Sequence, residues 1–195
     1  AVEKMVQESS QQQEKLEEVA KEEESLEAMK KRIGFDKVWP SETYDHEFVG
    51  VSKCSLCHKK ESQGSQYPIW LETAHAKAYP TLATKESKEL GAKLGIDDPQ
   101  KSGKCMRCHS TAYGFGEQKI SETIPVEEGI SCESCHGPGK DYMKLKVMKD
   151  REQAVAAGLL IPDEQTCLKC HNDTAPNVAP FEYHEAMEKI KHPIP

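Results

Sequence analysis

All eight cysteines of this 195-residue chain fall in Cys-x-x-Cys pairs, and each pair is followed at once by histidine. The four motifs are Cys54, Cys57 and His58; Cys105, Cys108 and His109; Cys132, Cys135 and His136; and Cys167, Cys170 and His171. The chain has eight histidines, so if they were scattered at random one would follow each pair with probability 8/195, and four in four has odds of about 3 in a million. The adjacency is chemical. Cys-x-x-Cys-His is the attachment pattern of c-type haem: the thiols form thioethers with the porphyrin, and the next imidazole lies under the iron as its proximal ligand.

Other uses of the pair fit less well. A structural zinc site is completed by two Cys-x-x-Cys pairs, which leaves the following histidine surplus. A thioredoxin-like redox pair needs a strand-helix context and does not recur four times. A disulfide scaffold scatters its cysteines rather than confining them to one spacing. Four haem c groups, with their iron, are the cofactors this pattern implies.

Composition agrees. Only 36% of residues are hydrophobic and 30% are charged, so side chains supply little apolar material for a core and the porphyrins are expected to fill it. No run approaches the roughly 18 apolar residues of a membrane span; the longest, around Ala154 to Ile161, is interrupted by Gly158. A formal charge of -7 argues against a polyanion such as nucleic acid as partner. Each ferric haem adds one net negative charge through its two propionates, taking -7 toward about -11, so redox protein partners are expected to offer basic docking faces. Haem attachment of this kind takes place outside the cytoplasm. The expected location is therefore the periplasm or cell surface, with a cleaved signal or a membrane tether lying outside this chain.

The motifs begin at 54, 105, 132 and 167, at intervals of 51, 27 and 35, which is no tandem repeat. One compact four-haem domain over 54–195 is expected. Residues 1–34 differ in kind, with no Pro, Cys or His and Glu, Gln and Lys almost throughout, which predicts a long helix. Steps of three and four give Val2, Met5, Ser9, Gln12, Leu16, Val19, Glu23, Leu26, Lys30 and Ile33, a seam with gaps. A self-associating coiled coil, a helix packed on its own haem domain and a solvated stalk all remain open. Residues 35–53, with Trp39, Pro40, Tyr44 and His46, read as linker.

The fold class is mainly α with little sheet, since no segment alternates apolar and polar residues over a sustained run. Trp70, Leu71, Ala74 and Ala78 outline a helical face over 66–79, Asp163 stands as N-cap before Cys167, and Tyr183, Met187 and Ile190 form one stripe ahead of Pro193.

Four histidines lie outside the motifs, His46, His75, His184 and His192, and four haems call for four distal ligands. A surface histidine is common, so the match does not force the assignment. His75 has small neighbours, Ala74 and Ala76, that let a porphyrin approach. His184 and His192 are eight apart, about 12 Å on a helix, enough to serve two haems but not one. Met143, Met148 and Met187 are the alternative distal donors, although Met at helical spacing is usually core.

The motif surroundings resemble the tetrahaem cytochrome c554 family over roughly residues 50–195. The likeness is carried by Cys54 to Lys59 with Trp70 to Ala78; by Cys105 to His109 with Gly114, Phe115 and Gly116; by Gly129 to Gly139; and by Ile190 to His192. The resemblance implies a helical, haem-dense electron carrier with stacked and perpendicular haem pairs. It also implies His75 and His192 as distal ligands, and a second haem, on Cys105, Cys108 and His109, that lacks a sixth protein ligand. The chain departs from the family in having no histidine outside the motifs between Gly139 and His184, and in its extra segment 1–34. His184 or His46 has to substitute if every haem is six-coordinate. An open second iron, near Tyr113, is the starting point of a rival reading as a small reductase of nitrogen oxides, and the N-terminal seam of a third, a subunit of a haem wire.

Overall fold

Short helices, ended by caps and glycines before they can lengthen, make up the computed structural model, which describes residues 12, 28, 29, 46–114, 124–176 and 180–194. The chain divides into two units, Ala1–Val38 with Asp173–Asn177, and Trp39–Asn172 with Val178–Pro195. In the first unit Gln12, Ala28 and Met29 are helical. The long helix expected over 1–34 otherwise lies outside the described residues.

The second unit carries all four motifs. Its helices are α1 (Val51–His58), α2 (Gln66–Glu72), α3 (Ala78–Thr81), α4 (Lys85–Lys93), α5 (Gly103–His109), α6 (Thr111–Gly114), α7 (Cys132–His136), α8 (Leu145–Met148), α9 (Arg151–Ala156), α10 (Glu164–Leu168) and α11 (Tyr183–Ile190). Among the described residues there is no strand, and no helix is long and apolar enough to cross a membrane.

Local chemistry sets the helix ends. The Thr84 hydroxyl accepts from the Ser87 amide and the Asp150 carboxylate from that of Gln153, each satisfying an orphan donor of a first turn. Asp163 starts α10 as its sequence position predicts, in a capping box with Thr166. The stripe of Tyr183, Met187 and Ile190 is α11. The helical face expected over 66–79 is broken: α2 stops at Glu72, Thr73 is extended, and Ala74 to Lys77 form a turn. Pro80 explains the break, because it has no N–H to give the carbonyl of Ala76 and its ring would press on that carbonyl in a continuous helix. His75 therefore stands in a turn.

Helices of four to nine residues are marginal alone and depend on packing. The side-chain core is small. Phe48, Ala112 and Ile124 form one buried cluster with Val126 against it, while Leu56 and Leu145 remain 61% and 64% exposed. The end of the expected linker belongs to this core rather than to a spacer. Phe48 is 1% exposed and α1 already begins at Val51, so the divide between units falls after Val38, inside 35–53.

Candidate functional site

On a helix, residues i, i+3 and i+4 share one face. In α1, α5 and α7 that geometry puts both motif cysteines and the motif histidine on one side of a single turn. In motif four, Cys167 ends up in the last turn of α10, and Cys170 and His171 follow just beyond it.

Three of the four motif imidazoles have their Nδ1 engaged. His58 meets the Gln66 side-chain oxygen at 3.0 Å, His109 the Ala78 carbonyl at 2.7 Å, and His136 the Leu160 carbonyl at 3.2 Å. The Gln66 amide nitrogen donates to the carbonyls of Gln63 and Pro193, which leaves its oxygen as the group facing His58. Because all three partners are acceptors, Nδ1 holds the proton and Nε2 keeps its lone pair. An acceptor holding the far nitrogen of the ring in this way is typical of metal-ligating histidine. The fourth imidazole, His171, is stacked on Phe181 with ring centroids 4.9 Å apart. Burial pulls His75, His136 and His171 below the ordinary histidine range, toward the neutral form that binds metal.

Two of the non-motif histidines face motif histidines. His75 and His171 have centroids 6.0 Å apart at 68°, and His136 and His192 have centroids 5.9 Å apart at 48°. With a metal–nitrogen bond of about 2 Å and a ring centre roughly 1 Å behind its nitrogen, two imidazoles on opposite sides of one metal have centroids about 6 Å apart. Both pairs have that separation. His75 is fixed by its backbone: the Ile130 amide donates to the His75 carbonyl at 3.0 Å, and Trp70 Nε1 donates to the Ile130 carbonyl at 2.8 Å. His192 lies beyond the end of α11 and His184 on it.

The other two candidates are placed differently. His46 Nδ1 bonds the Asp141 carboxylate at 2.9 Å and its ring edge lies against Gly158, while exposed His184 meets Tyr183 edge-on at 5.4 Å. Neither forms a ring contact with a motif histidine among the described residues.

The thiols set the order of the motifs in space. Those of Cys54 and Cys132 lie close enough to interact, as do those of Cys108 and Cys170; the interaction pushes Cys54 and Cys170 up and Cys132 and Cys108 down. Burial, with Cys167 nearby, pushes the Cys135 thiol up to about 11. Motif one thus adjoins three, three adjoins four, and four adjoins two.

Motif three is the hub. The Thr111 amide donates to the Gly129 carbonyl, the Ser131 amide to the Thr111 hydroxyl, and the Glu133 carboxylate accepts from Val49, Gly50 and Gly139.

This donor set fits haem better than zinc. Among the described residues no three His, Cys, Asp or Glu side chains gather as a metal site, and all eight cysteines are free thiols. What is present is paired thiols on or just beyond helix turns, and two motif imidazoles each with a second imidazole about 6 Å away. The buried hydroxyls of Ser110 and Ser131, beside His109 and Cys132, also lack a hydrogen-bond partner among the described residues, which is costly unless a bound group supplies one.

Reading the sequence missed Gln66, Glu133 and the carbonyls of Ala78 and Leu160. Gln66 had a faint signal, a polar residue opening an apolar helical face. A backbone carbonyl has none.

Residues 53–137 match the family model described as cytochrome c554 and c-prime. The chain is 38% identical over 142 residues to cytochrome c-554 of Nitrosomonas europaea, an alignment covering 65% of this chain and 58% of that protein. It thus spans somewhat over half the length of that curated relative. A solved structure of reduced cytochrome c554 from Nitrosomonas europaea aligns with a TM-score of 0.49 at 29% identity, covering 66% of each chain. Three of the four Cys-x-x-Cys-His motifs lie inside the matched span, and over residues 53–137 this chain is similar to the cytochrome c554 and c-prime family.

Proposed function

We propose that the chain is an exported electron carrier that passes single electrons through four covalently attached haem c groups. The observation that carries this reading is the pair of opposed imidazoles, His75 with His171 and His136 with His192, each joining a motif histidine to one outside the motifs. Haem bound at such a pair has no open iron position, and the chemistry it supplies is a one-electron couple tuned by burial and hydrogen bonding. The protein's part is to anchor, orient and insulate. The cysteine pairs fix each group to a helix or its end, the Nδ1 acceptors hold three of the four proximal imidazoles in one tautomer, and the closeness of the cysteines of different motifs supports an electron path in the motif order one, three, four, two.

Denaturing mass spectrometry tests the cofactor count. Four thioether-bound haems add about 2.5 kDa to the polypeptide, roughly 0.6 kDa each. A mass equal to the bare chain, or to the chain with zinc, would reject the reading.

A second reading is a small reductase of nitrogen oxides at the second haem. It is favoured by His109, which has its Nδ1 on Ala78 and no imidazole opposite it among the described residues, and by half-exposed Tyr113 packed over Gly103 at the start of α5. A high-spin ferric signal from one haem, shifted by added nitrite, would support it; a fully low-spin spectrum would exclude it.

Residues 1–34 contain no candidate haem ligand and carry nine Glu against six Lys and Arg, a net charge of -3. Their proposed role is association or tethering. Deleting them is expected to leave haem count and visible spectrum intact and to lower the oligomer mass in light scattering. Loss of haem from the truncated protein would make this segment part of the haem core.

A further inference from the structure

We propose that Glu133, together with Glu128, is a positioning residue that holds motif one against motif three and sets the potentials of the haems they carry; this rests on the haem reading above. Glu133 lies between the two attachment cysteines of motif three, yet it is 1% exposed. Nothing about attachment or iron ligation requires a carboxylate there. Its oxygens are spent on another motif. Oε1 accepts from the Val49 amide at 3.0 Å and the Gly139 amide at 2.6 Å, and Oε2 accepts from the Gly50 amide at 2.8 Å. Glu128 Oε2 accepts from the Val51 amide at 2.9 Å.

Gly50 and Val51 are the N-cap and first residue of α1, the helix bearing Cys54, Cys57 and His58, and Gly50 has no side chain with which to cap it. The amides at a helix start carry partial positive charge and need acceptors. Both acceptors come from the segment that leads into and through motif three. The tie is short: Cys54, four residues past Gly50, donates its thiol to the Gly50 carbonyl and lies within interaction range of the thiol of Cys132, the immediate neighbour of Glu133. Space is matched to it as well, since a Cβ on Gly139 would come within 3.1 Å of both Glu133 Oε1 and Val49 Cγ2.

Two consequences follow for haems at these motifs. Their relative orientation is locked, because moving α1 breaks three charge-assisted hydrogen bonds, one buried and two partly buried. A carboxylate buried beside both also favours the more positive, oxidised iron and lowers the potential.

The experiment uses the full-length haem-loaded protein with Glu133→Gln, which keeps the shape but removes the charge and turns an NH₂ toward N–H donors. In the parent and variant, haem mass, the four reduction potentials, the Soret circular-dichroism couplet of close haems, and amide hydrogen exchange are measured. The expected result is four haems retained, two potentials shifted upward and two unmoved, an altered couplet, and faster exchange at Val49, Gly50 and Gly139. Glu152→Gln, an exposed acid in the first turn of α9, should change none of these.

Faster exchange with unmoved potentials and couplet would reduce Glu133 to a structural cap and overturn the proposal, as would a folded variant identical to the parent in every readout. If Glu133→Gln does not mature, Glu128→Gln decides. It should raise the potential of at least the motif-one haem, and an unchanged set of potentials there also overturns the proposal. Failure of the haem reading would be seen separately, as missing mass in the parent.

Discussion

In the His75→Ala protein one ferric haem of the four is expected to become high-spin while the other three keep the spin states they have in the parent. His75 is the imidazole facing His171 at 6.0 Å, so the affected haem should be the one on Cys167 and Cys170. The thioethers and His171 remain, so the porphyrin stays bound and the haem mass is unchanged. Burial, with His171 opposite, holds His75 below its ordinary pKa, so at pH 7 the parent presents the neutral ligating form and no protonation step masks the loss. Added imidazole should restore the low-spin spectrum, because the mutation leaves a hole of that shape. His184→Ala is the contrast: exposed, with its ring edge-on to Tyr183, it should leave the spectrum as it was. Electron paramagnetic resonance of both ferric variants checks this, and an unchanged low-spin spectrum in His75→Ala would remove His75 as a ligand.

What could be read from the residues alone divides along a physical line. Attachment chemistry is local, so the four motifs, their helical setting and the absence of strand among the described residues could be read from spacing. Caps are local too, as Asp163 with Thr166 illustrates. Where an outcome depended on contacts between distant segments, the residues gave less. The face of Trp70, Leu71, Ala74 and Ala78 suggested one helix, but Pro80 and the tie between Ile130 and His75 make the middle a turn. Four spare histidines suggested four ligands without saying which faces which. That is decided by side chains meeting across 96 residues for His75 and His171, and 56 for His136 and His192. The pairing also alters an expectation. The gap after Gly139 pointed to His184 or His46 for the fourth motif, whereas the imidazole opposite His171 is His75. Glu133 was invisible for a different reason. Inside Cys-x-x-Cys the middle letters look free, and only the fold shows that one of them caps a helix whose N-cap, Gly50, lies 83 residues earlier in the chain.

Gly129→Ala should reach the same haem as His75→Ala from a different side, and with a stability cost that His75→Ala lacks. Gly129 has φ +65° and ψ -140°, a conformation that side-chain-bearing residues rarely adopt. Its missing Cβ would lie 2.8 Å from the His75 carbonyl oxygen and 3.2 Å from that of Ala76, both backbone atoms. The His75 carbonyl is the one that accepts from Ile130, so relieving the clash means breaking that bond and pushing the His75 turn outward. Backbone strain of about 1–3 kcal/mol and the lost hydrogen bond, about 1 kcal/mol, together suggest about 2–4 kcal/mol. For a domain of this size that is a fall in Tm on the order of 10 °C. The Gly129 carbonyl also accepts from the Thr111 amide and hydroxyl, so part of the disturbance should pass toward motif two. The expected protein has four haems by mass, a lowered thermal midpoint by circular dichroism, and a partial high-spin signal on the motif-four haem. A variant that melts like the parent and stays fully low-spin would show that the His75 turn can move without losing its hold on the iron, and would count against the backbone tie as the device that places His75.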